Sequence, residues 1–116
     1  MRRVCVACKR PLQLKEEVLR ELQLDPRDLK GATIFEGVGC VDCNNTGYRG
    51  RQGVYEVLSM TPKVRDLVLD RASAGEIKKL AIQEGMLTLR RDALEKLKRG
   101  ITSVEEVLKE TAADKV

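Results

Sequence analysis

Apolar residues along this chain fall into two rhythms, and the change comes near residue 58. From Thr61 onward the spacing is helical and well punctuated. Thr61-Pro62 supplies an N-cap followed by proline at the first helical position, and Val64, Leu67 and Val68 form an apolar stripe. Ser73-Ala74-Gly75-Glu76 reads as a capping box opening a second helix, with Ile77, Leu80 and Ala81 inward and Gly85 closing it. Thr88 is placed to cap a third helix, whose Leu89, Ala93, Leu94 and Leu97 face a core before Gly100. Thr102-Ser103-Val104-Glu105 reads as another capping box, with Val104, Val107 and Leu108 as the last stripe. Residues 112–116 are expected to fray.

Before residue 58 the rhythm is broken by glycines and short extended runs. Residues 15–22 predict one helix with Val18, Leu19 and Leu22 on a face, stopped by Asp25-Pro26. Residues 32–36 and 53–58 predict short strands, the second rich in β-formers. The expected architecture is therefore α+β. A small knuckle module with short strands (residues 1–58) precedes a compact helical subdomain (residues 59–116).

Composition sharpens this picture at one point. With no Trp, one Phe and two Tyr, the core must be built from Leu, Val, Ile and Ala. The 116 residues make one domain or two small ones, and a module of about 60 residues buries only about 60% of its chain's surface. The first half needs help from something other than apolar burial.

The cysteines supply it. Cys5-Val6-Ala7-Cys8 and Cys40-Val41-Asp42-Cys43 are matched C-x-x-C knuckles separated by 31 residues. Two such pairs are the usual way to surround a tetrahedral Zn²⁺ with four thiolates. The chain has no histidine, so the set would be all-sulfur, leaves no position for water, and argues for structure rather than catalysis. A redox C-x-x-C would sit at a strand–helix junction of a βαβ unit, and neither knuckle does. One structural zinc per chain, on Cys5, Cys8, Cys40 and Cys43, is the expectation. Its site closes a long loop and holds the first half together.

Charge removes some functions. Formal net charge is +4, and residues 1–56 and 57–116 contribute +2 each. Four thiolates with one Zn²⁺ would lower the total to about +2. No run of five like charges occurs, and aromatic stacking residues are scarce, so nucleic-acid binding is weakly supported. Arg49 and Arg51 read as solvated or structural loop charges. No apolar run reaches the roughly 18–20 residues of a membrane span, and the start does not resemble a signal peptide. A reducing, cytoplasmic compartment is expected, where paired cysteines bind metal more often than they form disulfides.

The run Gly39-Cys40-Val41-Asp42-Cys43-Asn44-Asn45-Thr46-Gly47-Tyr48-Arg49-Gly50-Arg51-Gln52-Gly53-Val54-Tyr55-Glu56-Val57 closely resembles the C-terminal part of the type II secretion and type IV pilus assembly ATPases. The likeness extends to Arg2-Arg3-Val4-Cys5-Val6-Ala7-Cys8, Glu76-Ile77, Glu84-Gly85-Met86-Leu87-Thr88-Leu89 and Gly100-Ile101-Thr102-Ser103-Val104-Glu105-Glu106-Val107-Leu108. Val6 stands where the family often has proline. No G-x-x-x-x-G-K-[ST] phosphate loop occurs here; in the family it lies N-terminal to the first knuckle.

The resemblance implies a non-catalytic tail of such a motor, excised or separately encoded, that does not itself hydrolyse ATP. Its implied partners are a RecA-like ATPase domain, neighbouring subunits of a hexamer and inner-membrane platform proteins. Its implied place is the cytoplasmic face of a bacterial inner membrane, without membrane insertion. Two other readings remain at this stage. One is a zinc-ribbon nucleic-acid-binding module. The other is a co-chaperone zinc region, for which two knuckles are too few.

Overall fold

A computed structural model describes residues 1–114 of the chain. The described residues form an α+β molecule about 55 × 28 × 21 Å across. Four short strands come first: β1 (Arg2–Val4), β2 (Lys9–Pro11), β3 (Phe35–Gly37) and β4 (Tyr48–Arg51). Helix α1 (Glu16–Leu22) lies between β2 and β3, and α2 (Pro62–Leu69), α3 (Ala74–Gln83), α4 (Leu89–Lys98) and α5 (Val104–Glu110) follow.

The strands make two antiparallel ribbons, β1 with β4 and β2 with β3. Each knuckle therefore joins one ribbon to the other: Cys5 to Cys8 links β1 to β2, and Cys40 to Cys43 links β3 to β4. The ribbons bring two segments 31 residues apart face to face. The two arms that flank the second knuckle nearly touch at Gly37 and Gly47. A Cβ added to Gly37 would lie 2.0 Å from the Gly47 carbonyl oxygen, and one added to Gly47 would lie 2.6 Å from that of Gly37. Gly47 also has φ +82°, so glycine is required at this crossing for both reasons.

Helix α1 starts one residue later than its pattern predicts and ends at Gln23, which takes a left-handed conformation and donates to Arg20. Asp25-Pro26 does not stop this helix. Asp25 instead caps a short 3₁₀ turn over Pro26–Leu29 through the Arg27 N–H. Thr61, Ser73, Thr88 and Ser103 cap α2 to α5, each accepting from the backbone N–H three residues on. The last cap corrects the sequence reading by one residue. Ser103 is the N-cap of α5, while the Thr102 hydroxyl donates to the Arg2 carbonyl.

One buried cluster joins Leu19, Leu22, Leu24 and Ile34 from the first half to Ala93, Leu94, Leu97 and Val107 from the second. Helix α1 packs against α5, so the knuckle-bearing half reaches into the helical core. Helices α2 and α3 form a separate pair around buried Val64 and Ala81, with Val68 exposed.

Three expectations fail in instructive ways. Residues 53–58 form no strand and have no ladder partner; the strand is β4 just before them, and its own ladder with β1 carries a register shift. Contacts with α4 take over instead: the Asp92 side chain accepts from the Tyr55 N–H, and the Glu56 side chain of the segment accepts from the Leu89 N–H. Leu89 is exposed rather than inward, and its neighbour Arg90 is buried at 3% exposure. The Arg90 guanidinium donates to the Thr111 hydroxyl and carbonyl and to the Glu21 carbonyl, so it caps carbonyls that would otherwise lack donors. The expected fraying of residues 112–116 does not begin at 112. Asp114 exchanges hydrogen bonds with Gln23 and accepts from Thr88, whereas residues 115 and 116 lie outside the described residues.

Candidate metal centre

Both knuckles turn because their own backbone closes them. The Lys9 N–H donates to the Cys5 carbonyl, and the Asn45 N–H donates to that of Cys40. Asn44 and Asn45 take left-handed conformations that Asn tolerates, which returns the chain toward the first knuckle. The Cys5 N–H donates to the Gly47 carbonyl at 2.9 Å and ties the two knuckles together.

All four sulfurs then lie within 4.8 Å of one another. Cys5 to Cys40 is 3.7 Å, Cys40 to Cys43 is 3.7 Å and Cys8 to Cys43 is 3.8 Å. A tetrahedron with sulfur about 2.3 Å from its centre has edges of about 3.8 Å. A disulfide needs about 2.05 Å, so these separations suit a shared ion and not a bridge. The cluster is close enough to bind a metal ion.

Backbone donors converge on the sulfurs. The Gly39 N–H donates to Cys8, and the Cys40 and Gly47 N–H groups donate to Cys43, at 3.2–3.3 Å. Each stabilises thiolate over thiol. The four thiols divide unevenly. Desolvation pushes the Cys8 thiol up to about 11, opposed by the Gly39 N–H and reinforced by the neighbouring thiols. Cys40 is also raised, again mainly by desolvation. Desolvation acts the same way on Cys43, but the Cys40 and Gly47 N–H groups and the Cys40 and Cys8 thiols outweigh it and lower that group to about 6. The Cys43 thiolate is thus favoured over those of Cys8 and Cys40. A divalent ion would favour thiolate at all four.

The centre is fixed to the core by contacts that periodicity alone does not reveal. Glu106, 1% exposed, accepts from the Arg2 backbone N–H at 3.0 Å and from its Nε at 2.6 Å. Desolvation raises the Glu106 carboxyl, but the two Arg2 donors and the Arg2 charge outweigh it and hold the group below its ordinary value. The Arg2 guanidinium lies 4.0 Å over the Tyr48 ring, whose hydroxyl pairs with Ser103. The Val4 N–H donates to the Ile101 carbonyl. Of these links, only Glu106 left a trace in the sequence. It stands three residues after Ser103, where a capping-box glutamate would reach back, and it reaches Arg2 instead.

Among the described residues no helix is long and apolar enough to cross a membrane. Arg49 and Arg51 are exposed and form no ion pair among those residues.

Comparison with known proteins agrees with this architecture. The chain is 43% identical over 115 residues to a type IV pilus assembly ATPase PilB of Myxococcus xanthus, covering 98% of this chain and 20% of that protein. It is 42% identical over 111 residues to the Thermus thermophilus protein of the same name, covering 96% of this chain and 12% of that one. It is 34% identical over 116 residues to a type II secretion system protein E of Aeromonas hydrophila, covering 98% and 22%. The chain spans about a fifth or less of the length of these relatives. A family model described as type II/IV secretion system protein matches residues 1–109, and the chain belongs to that family.

Proposed function

We propose that this chain is a non-catalytic C-terminal module of a type II secretion or type IV pilus assembly ATPase, held together by one structural zinc ion on Cys5, Cys8, Cys40 and Cys43. The tetrahedral spacing of the four sulfurs carries the reading. Thiolates suit Zn²⁺, and four of them fill its coordination, so the ion would supply cross-linking rather than a reactive water. The residues around it aim N–H groups at sulfur and tie each knuckle to the other.

ATP hydrolysis belongs to a part of the motor outside these residues, because the sequence has no phosphate loop to cradle a nucleotide. The surface offered to that part is the segment that follows β4. Tyr55 and Val57 are 66% and 71% exposed, and with Ser59 they line a cleft of about 390 Å³ against α2 and α3. A contiguous apolar strip of this kind marks a contact site. The family likeness makes its partner the RecA-like domain, within a hexamer at the cytoplasmic face of the inner membrane. The division at residue 58 is one of roles, metal clip against helical scaffold, across a shared core.

Metal analysis of the chain purified without added metal tests the central claim. Near-equimolar zinc is expected. A folded chain with four free thiols and no metal sinks it, and equimolar iron would keep the clip but replace the ion. Titration with ATP is expected to show no micromolar binding, and such binding would overturn the non-catalytic reading.

A further inference from the structure

The β1–β4 ribbon carries four arginines: Arg2, Arg3, Arg49 and Arg51. Its register sets Arg2 opposite Arg51, a like-charge pairing that disfavours the ribbon. Only Arg2 has a carboxylate of its own, Glu106; Arg3, Arg49 and Arg51 have no ion pair or side-chain hydrogen bond among the described residues. Arg2, Arg49 and Arg51 line one open cleft of about 270 Å³ with Thr46, Tyr48 and Gly50, and no carboxylate lines it. The rest of the surface mixes its charges, as in the pairs of Lys78 with Glu56, Lys96 with Asp92 and Lys98 with Glu95.

We propose that this cleft is a docking site for an acidic protein segment, whose carboxylates it would bind. Guanidinium groups match carboxylates two N–H donors at a time, and the basic residues lining the cleft are all arginine, with no lysine. Arg49 and Arg51 flank Gly50, whose φ of +85° lies where the register of the ribbon shifts, and both guanidinium groups are left exposed beside the cleft. On the proposed reading, a metal at the four cysteines would hold the ribbon in place, because β1 leads into Cys5 and β4 begins soon after Cys43. Rigid arginines lose less freedom on binding than loop arginines do. The site goes beyond the module's proposed role as support, and its failure would leave the zinc content untouched.

The test is titration of the zinc-loaded full chain with a synthetic peptide of four Glu-Ser repeats, blocked at both ends. Binding on the order of 100 µM is expected at about 50 mM salt, weakening about tenfold or more at about 300 mM. Arg49→Gln with Arg51→Gln should weaken it at least about tenfold, while Lys79→Gln on α3 should leave it unchanged. Arg51→Lys, which keeps the charge but loses the fork, should fall between. Zinc content and circular dichroism of each variant establish that it is folded. No binding at about 1 mM peptide, or equal loss in the Lys79 variant, overturns the proposal. Tighter binding of tripolyphosphate, or of vesicles with about 30% anionic lipid, also overturns it by assigning the cleft to phosphate.

Discussion

The two ends of this molecule solve the same problem with different materials. Around the helices, Leu22, Leu94, Leu97 and Val107 are fully buried and the fold is held by apolar contact. Around the knuckles almost nothing apolar is enclosed: Val4, Cys5 and Cys43 are buried, while Val6 and Val41 at the knuckle tips are 79% and 90% exposed. An end with so little core keeps one conformation only if something else opposes chain entropy. Sulfur geometry and N–H donors converging on it point to a metal in that role. The two ends are not independent. Glu106 and Ser103 at the start of α5 grip Arg2 and Tyr48, and Leu19, Leu22 and Ile34 enter the helical core.

If the four cysteines hold the proposed zinc, the largest effect should come from removing it. Structural zinc contributes roughly 10–16 kcal/mol of apparent binding energy in small modules, more than a knuckle end without a core can replace. Chelation, or Cys40→Ser, should abolish hydrogen-exchange protection in both ribbons, while most helical circular dichroism survives because no cysteine belongs to the buried cluster. Loss of all helical signal would show that the ends fold only together.

Leu97→Ala strikes the other end. Truncating this fully buried side chain should cost about 2–5 kcal/mol in urea unfolding while zinc stoichiometry stays near one. Zinc lost in proportion to helix would erase the distinction between the ends.

The joint comes next. Arg2→Ala leaves Glu106 buried without its donors from the side chain, and about 1–3 kcal/mol should be lost, discounted because the Arg2 side chain is 41% exposed. The pH sign follows from the lowered Glu106 carboxyl. Its stabilising contribution is complete above its unfolded pKa and is lost as pH falls through the folded one. Thermal melts should therefore show Glu106→Gln less stable than the parent near neutrality, with the gap closing in acid. A gap independent of pH would mean that packing, not charge, makes the joint.

Val57→Ser should have the smallest effect, within about 0.5 kcal/mol in the isolated chain, because its side chain is 71% exposed. A larger loss would show that the strip already serves this chain's own fold. In the full-length motor the same substitution is expected to weaken packing on the ATPase domain.

The paired spacing of Cys5, Cys8, Cys40 and Cys43 is enough to mark the cluster in the sequence, because a two-residue gap constrains sulfur direction locally. Caps at Thr61, Ser73 and Thr88 were legible for the same reason: each satisfies an N–H only three residues away. Helical stripes located Ala93, Leu94, Leu97 and Val107, since periodicity records which face is apolar. Tertiary structure decided what those faces meet. It buried Arg90 to cap the carbonyls of Glu21 and Thr111, turned Glu106 from its own helix toward Arg2, and left residues 53–58 without a ladder. Each outcome depends on a partner from tens to more than a hundred residues away or on a missing neighbouring strand. Local sequence encodes the conformation a segment prefers, while contact across the chain decides whether that preference finds a partner.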